Sequence, residues 1–574
     1  MKPEIKNCKK CKEDFVVTEN DLLFYEKIRV PTPTLCPQCR YVRRLLDRNE
    51  YNFYKRTCDA TGKNIISIYK PEAPFPVYAQ DYWKSDEFDA TEYGRDFDFS
   101  RPFFEQYEEL RRSVPHLAMV NWNSPGSEYT NQANNNRDCY MLVTSANCDK
   151  CMYGSWCGAC YFVADCYMTE KSEFCYECIN ITKCSQCMWV YDSSDCVDVY
   201  FSSDCRNCTD CFGCVGLRNK QYCYFNEQLT KEDYESKVKN FLWTQEFIKE
   251  SKDKFLKLRS KVPVKFYHGF NTKNSSGDYI QNTERTYLAF NCRDNKDTAY
   301  MQDAWYRVDD CRDCTEIDRG QMSYEVQGIE FPTRTIVARS CLGTITDSYY
   351  CDMCFTTQDC FGCFGLKQKK HCILNKQYTK EEYFELKEKI IEHMRKGGEW
   401  GEYFPGHVSP FAYNECMAQD YFPLTKEEAF KEGYTWYERP PREYNITLRT
   451  KDLPKTIEAV EDNIVSEVIE CASQNLENKN QINPLCTTAF NITQLELTLY
   501  KKLKLPIPEK CFPCRRQERF TLRNPRKLWK RTCMCAQVNH FHGEGKCVEE
   551  FETSYPPDSP YTVYCEQCYN AEIY

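Results

Sequence analysis

Between Cys139 and Cys223 a small apolar residue returns on a fixed beat through an otherwise polar chain. Cys139, Cys148, Cys157, Cys166, Cys175 and Cys184 stand nine residues apart, and after one step of twelve the beat resumes at Cys196, Cys205, Cys214 and Cys223. Cys151, Cys160, Cys178, Cys187 and Cys208 each follow a beat cysteine by three. A short fixed period is the mark of a solenoid whose rungs stack on one another. Nine residues are too few for two strands and two corners, so the pattern predicts a flattened coil of two repeats, 18 residues. That coil stacks Cys139, Cys157 and Cys175 on one side and Cys148, Cys166 and Cys184 on the other. Positions three apart differ in strand parity, so each C-x2-C must straddle a corner or bulge.

The arm ends DCFGCVGLRNKQYCYFNEQLTKEDY from Asp210, and the same sentence returns as DCFGCFGLKQKKHCILNKQYTKEEY from Asp359, with 15 of 25 positions identical. Two solenoid arms are therefore expected, each closing on one cap and passing into a helix with Thr230 or Thr379 as N-cap. These helices are expected over Lys231 to about Lys261 and Lys380 to about Lys396. Earlier, Thr61-Gly62-Lys63 reads as a turn before the β-branched run Ile65 to Ile68. Residues 96–113 read as a helix with Ser100 as N-cap and Pro102 in the first turn.

A longer repeat joins the two ends: residues 11–60 align with 486–535 without a gap, 18 of 50 identical. The organisation this gives is a zinc-ribbon module over 1–70, a linker with a helix over 71–125 and a first arm over 126–229. A helical connector over 230–275, a second arm over 276–378, a helix and connector over 379–470 and a C-terminal zinc module over 471–574 complete it. The fold class expected is mainly β with helical connectors, two cysteine-rich β-solenoid arms of nine-residue half-coils flanked by terminal zinc ribbons.

Composition sharpens the chemistry. At 574 residues the chain needs no staples to bury a core, so 40 cysteines require another reason. No apolar run long enough to cross a membrane and no secretory leader is seen, which predicts a cytoplasmic protein in which C-x2-C pairs mean metal more often than disulfide. Cys8-x2-Cys11 and Cys36-x2-Cys39 have zinc-ribbon spacing, two turns each offering two thiolates to a tetrahedral ion. In the C-terminal copy Cys11, Cys36 and Cys39 become Cys486, Cys511 and Cys514, while Cys8 becomes Asn483 and Cys471 is the replacement. Cys533, Cys535, His540, His542, Cys547, Cys565 and Cys568 remain to compete for a further site, and their partition is open. Within the first arm, Cys157, Cys160, Cys175 and Cys178 form a candidate zinc set. The alternative is that beat cysteines are small hydrophobes filling a narrow core. Cys205, Cys208, Cys211 and Cys214 approach the spacing of a bacterial iron-sulfur motif, with the last gap one short and Val215 in place of proline.

The net charge of −9 argues against a general coat of positive potential, so any nucleic-acid surface must be local. Arg40, Arg44 and Arg48 fall at i, i+4 and i+8, and Arg515, Arg519 and Arg523 repeat them. On a helix each set makes one basic face, for which phosphate is the natural partner and internal carboxylates the alternative. No phosphate loop, dinucleotide fingerprint, H-E-x-x-H or nucleophile elbow is found, and closed four-ligand zinc sites leave no open position for water.

The stretches LCPQCRYVRRLLDRNE, TCDATGK, DCFGCVGLRNKQYC and VYCEQCYNAEIY resemble a family of cysteine-rich multi-zinc-ribbon proteins of small-genome environmental bacteria. The likeness covers most of the chain and implies a module map, not an activity. The reading is a non-enzymatic, multi-zinc scaffold that grips RNA or DNA phosphates through its terminal modules. A protein-binding or self-assembling solenoid and an iron-sulfur redox protein are the alternatives.

Overall fold

The computed structural model describes residues 2–573 apart from 304, 310–311, 316, 319–322, 331–334, 342, 441–442 and 477–482. Its centre is the expected pair of β-solenoid arms. In the first, eleven strands from Asn121–Trp122 to Glu227–Gln228 form one sheet in chain order. All neighbours are parallel until the last pair, where Cys223 faces Gln228 antiparallel and closes the arm. The second arm ends in the same device, Gln358–Phe361 parallel to Lys370–Ile373 and then Lys376–Gln377 antiparallel.

The coil is twelve residues long, not eighteen. Ser155 faces Tyr167, Tyr167 faces Ile179 and Ile179 faces Tyr191, a step of twelve each time. Within a coil the backbone turns every third residue: Asp138, Met141, Thr144 and Asn147 have φ of 51°, 48°, 47° and 57°. The residue after each turn points inward, so Cys139, Leu142, Ser145 and Cys148 are buried on four interior pillars. A beat of nine is three quarters of this coil. Successive beat cysteines therefore walk diagonally, each on the neighbouring pillar one coil on. Left-handed φ costs about 1–2 kcal/mol for an L-residue, and many of these corners are Asn or Asp, which tolerate it best.

The interior accounts for the cysteines without metal. Inward amides need acceptors, and the side chain one coil back supplies them: Cys157 N donates to Ser145 Oγ at 2.9 Å, Cys205 N to Ser193 Oγ at 3.0 Å and Cys178 N to Cys166 Sγ at 3.3 Å. The thiols in turn donate to carbonyls. Cys178 Sγ lies 3.4 Å from Tyr176 O and 3.4 Å from Cys187 O, and Cys187 Sγ 3.5 Å from Cys196 O. A residue that is small, apolar and able to do both fits every pillar, and Leu142, Val163, Ile181, Val190 and Val199 take other places on the same pillars.

The second arm is less regular. Its register is twelve at Gly277↔Ala289 and Gln358↔Lys370 but thirteen at Ala338↔Cys351, and a bulge lies between Arg293 and Asn295. Around the arms lie two large cores, one joining the N-terminal module to the second arm, the other joining the first arm to residues 457–512. The helix expected over 231–261 is two helices, Lys231–Val238 and Gln245–Arg259, the second capped afresh by Thr244. The helix expected from Ser100 starts at Phe103, where the distant carboxylate of Glu399 accepts from the Phe103 and Phe104 amides at 2.8 and 2.9 Å. No helix among the described residues is long and apolar enough to cross a membrane.

Ser193→Ala leaves the Cys205 amide buried without its acceptor. A loss of about 1–3 kcal/mol is expected, seen as a lower urea midpoint. Val197→Thr, on the outer face of the same arm at 38% exposure, should leave the midpoint in place.

Candidate metal centres

The N-terminal module is built from β1 (Glu4–Asn7) and β2 (Asp14–Val17), a hairpin, followed by α1 (Glu19–Lys27) and α2 (Pro37–Leu45). Cys8 and Cys11 sit in the hairpin turn. Cys36 is the N-cap of α2 with Pro37 as its first residue, so Cys39 falls in the first helical turn. The four sulfurs lie within 4.8 Å of one another. Backbone amides point at them: Cys36 N donates to Cys8 Sγ at 3.2 Å and Cys39 N to Cys36 Sγ at 3.5 Å. Hydrogen bonds from the Cys39 side chain and amide lower the Cys36 thiol to about 5, which favours its thiolate form. Thiolates with amide donors behind them are the donor set of a closed structural zinc site.

The C-terminal copy rebuilds this from α3 (Gln494–Leu503) and α4 (Phe512–Phe520), with Cys511 as N-cap of α4. Cys471, Cys486, Cys511 and Cys514 come together within 4.8 Å, and Cys511 N donates to Cys471 Sγ at 3.3 Å just as Cys36 N does to Cys8. Cys471 reaches this place because Ile469–Glu470 pairs antiparallel with Ala489–Phe490, the counterpart of β1 with β2, across a longer connection.

A second hairpin-and-helix unit follows in each half. In the C-terminal half Trp529–Thr532 pairs with Glu550–Thr553, and the helix Glu566–Ile573 carries Cys568. Cys533, Cys547, Cys565 and Cys568 form one close group and Cys535, His540, His542 and Cys568 another. The N-terminal counterpart pairs Tyr54–Thr57 with Asn64–Ser67. There Ala79 N donates to Cys58 Sγ at 3.2 Å as Cys565 N donates to Cys533 Sγ at 3.2 Å. Alanine stands where Cys565 stands, and Thr61 stands three residues after Cys58, where the first hairpin has Cys11 three after Cys8.

The solenoid cysteines behave differently. Among the described residues they are absent from the groups close enough to share an ion. Cys157 and Cys175 are eighteen residues apart, one and a half coils, so they face each other from opposite pillars, and the proposed set with Cys160 and Cys178 is corrected accordingly. Burial pushes the Cys175 and Cys178 thiols well above their ordinary range, which keeps them protonated donors. Cys205, Cys208, Cys211 and Cys214 occupy four successive corners of one coil, each sulfur 3.3–3.5 Å from the carbonyl two residues before it. That is packing, not an iron-sulfur cradle. The cysteines of this arm are free, so they are not disulfides either.

The arginine stripes are also corrected. Arg40, Arg44, Arg48, Arg515 and Arg519 are at most 5% exposed. Arg40 Nε meets Asp313 at 2.9 Å and Arg44 approaches the same carboxylate at 3.5 Å, while Arg48 pairs with Glu50 at 2.8 Å. In the other copy Arg515 Nε and Arg519 Nη2 share Asp165 at 3.0 and 2.6 Å, and Arg523 lies over the rings of Phe520, Tyr167 and Tyr421. A face occupied in this way is not open to a phosphate backbone. The correspondence extends to detail. Tyr300 OH donates to Asp21 at 2.7 Å and Tyr153 OH to Glu496 at 2.8 Å, and Asp21 and Glu496 are equivalent capping-box residues of α1 and α3. Sequence reasoning missed these acids. Asp21 and Glu496 align in the terminal repeat and could have been found, whereas Asp165 is one corner aspartate among many.

A hairpin with one thiolate pair in its turn, followed by a helix that carries the second pair, decides the fold of the first module. Residues 4–46 match a family model described as "Probable treble clef domain". The helix-borne second pair is what separates this treble clef from the two-knuckle ribbon expected from spacing. The search of curated proteins finds no match to the chain. Among solved structures, one titled "Crystal structure of putative acetyltransferase from Desulfovibrio desulfuricans G20" is 8% identical, covers 50% of this chain and 72% of its own, and superposes with a TM-score of 0.10. That score carries no argument.

Asp165→Ala strands two buried guanidinium groups. The expected cost is about 3–5 kcal/mol, and limited proteolysis should then release the C-terminal clef from a first arm that stays protected.

Proposed function

We propose that the protein is a non-enzymatic, zinc-braced binding scaffold, whose arms and N-terminal clef enclose a site for an uncharged polar ligand such as an oligosaccharide. The observation that carries this reading is a cleft of about 500 Å³ walled by both arms. Asn134, Asn147 and Trp156 line it from the first arm, Gln327 and Ser340 from the second, with Trp122 beside them. Amides and hydroxyls that hydrogen-bond without charge, set next to aromatic rings, suit a polyhydroxylic molecule.

Charge in the wall is already answered. Arg339 bridges Asp47 at 2.6 Å and Asp352 at 2.7 Å, and Arg111 also approaches Asp352 at 3.4 Å. Glu170 holds Arg293 at 2.7 Å, Arg48 holds Glu50, and Asp303 holds Arg526. Lys171, exposed and 3.2 Å from Glu170, is among the described residues the one lining cation outside these pairs, and an ion bound elsewhere in the cleft would have to break one of them, at a cost that a neutral ligand avoids.

Nucleic-acid binding, the reading drawn from the arginine stripes, keeps a clear signature: affinity that falls steeply with salt. Calorimetric titration of the full chain with a panel of neutral oligosaccharides, single-stranded RNA and duplex DNA at low and high salt separates the two. The expected result is binding of a neutral glycan, unchanged by salt and weakened tenfold or more by Trp156→Ala. Salt-dependent RNA or DNA binding with no glycan binding would overturn the proposal.

A further inference from the structure

The two ligand groups of the C-terminal unit are not independent, because both contain Cys568. Its sulfur lies within 4.8 Å of Cys533, Cys547 and Cys565 and within the same distance of Cys535, His540 and His542. Together the two groups hold seven donors, five sulfurs and two imidazoles. Two tetrahedral ions require about eight coordination positions. Seven donors fill eight positions when one of them serves both ions, and a thiolate, with three lone pairs, is the donor able to do so.

We propose that residues 533–568 hold a binuclear zinc cluster in which the Cys568 thiolate bridges the two ions. One ion takes Cys533, Cys547, Cys565 and Cys568, and the other takes Cys535, His540, His542 and Cys568.

The surroundings suit such a cluster. Cys568 is fully buried, and it lies in the first turn of the helix Glu566–Ile573, where the helix dipole favours negative charge. Five thiolates against two divalent ions leave one net negative charge, which the amides of Cys565 and Cys568 meet by donating to Cys533 Sγ at 3.2 Å and Cys565 Sγ at 3.5 Å. On the histidine side Cys535 Sγ is 3.1 Å from His540 Nδ1 and 3.4 Å from His542 Nε2. His540 turns its other nitrogen, Nε2, toward Glu572 Oε1 at 3.5 Å, the carboxylate behind a ligating imidazole that fixes its tautomer.

The local sequence explains how the second ion was accommodated. Thr57 faces Asn64 in the N-terminal hairpin, but Thr532 faces Glu550 in the C-terminal one. The longer turn brings Cys535, His540, His542 and Cys547, so three ligands of the second ion and one of the first arrive in a single stretch.

The rival arrangement is two separate ions, the second held by Cys535, His540 and His542 with an open fourth position. Substituting cadmium-113 for zinc in the full chain distinguishes them. The bridged cluster gives two of the four expected resonances, one per ion, split by coupling to each other through the shared sulfur. Native mass spectrometry supplies the second reading. Cys568→Ala should drop the content from four ions to two, whereas His542→Ala should drop it from four to three, the two treble clef sites serving as internal reference. Unsplit resonances from the intact chain, or loss of a single ion on Cys568→Ala, would overturn the proposal. The wild-type coupling needs no variant, so a misfolded mutant cannot hide the answer.

Discussion

An amide that points into a closed lumen must find an acceptor there, and this demand sets the first arm's architecture. The four-cornered coil aims a peptide N–H inward at each corner, and the residue twelve positions back is the side chain standing beneath it. Serine, asparagine and cysteine meet the demand; a larger apolar residue would fill the pillar and leave the amide unpaired, at about 1–3 kcal/mol each. Cysteine adds a weak S–H for the carbonyl nine residues ahead. Serine, asparagine and cysteine therefore recur along the pillars, with Leu142, Val163, Ile181, Val190 and Val199 at the remaining inward positions, and much of the periodicity in the sequence is a record of hydrogen bonding between coils.

This explains why the solenoid was legible and its coil length was not. The nine-residue beat from Cys139 to Cys184 is real, but it traces a diagonal over four pillars rather than one face of a two-sided coil. Counting cysteines alone cannot separate the two, because Ser145, Ser172, Ser193 and Ser202 continue the pillars without being cysteine. The arginine stripes failed for a related reason. Spacing established that Arg40, Arg44 and Arg48 share a helix face; it said nothing of Asp313, which lies in the second arm, 273 residues beyond Arg40. The terminal thiolates were legible because their ligands come in local pairs, and the sharing of Cys568 was not, because a bridging role depends on distances between separate turns.

The two halves of the molecule are tied crosswise. Each terminal module has its arginine helix locked by one buried aspartate, yet the N-terminal treble clef finds Asp313 in the second arm and its C-terminal repeat finds Asp165 in the first. Further contacts return the favour: Arg48 donates to Thr144 in the first arm at 2.7 Å, and Arg526 pairs with Asp303 in the second. Neither clef can leave without exposing or orphaning charge in an arm, and a buried pair that loses one partner costs more than the pair itself contributes. Cys36 or Cys511 caps a short helix that holds the arginines in register with their carboxylates, so an ion bound by these thiolates would act at a distance.

Divergence between the copies follows the same logic. The inner hairpin of the N-terminal half keeps Cys58 and the amide that donates to its sulfur, but Ala79 occupies the place of Cys565. Its surroundings brace it: Trp83, Phe88 and Ala90 pack against the second arm and the helix Phe103–Ser113. The C-terminal equivalent gathers Tyr564, Tyr569 and Phe551 around its sulfurs. It meets the rest of the chain through a two-residue strand pair, Val563–Tyr564 on Val264–Lys265, the Phe551 ring on Phe266, and hydrogen bonds from Ser554 to Asp278 and from Tyr569 to Asp204. In so small a unit coordination bonds add to what buried area alone supplies.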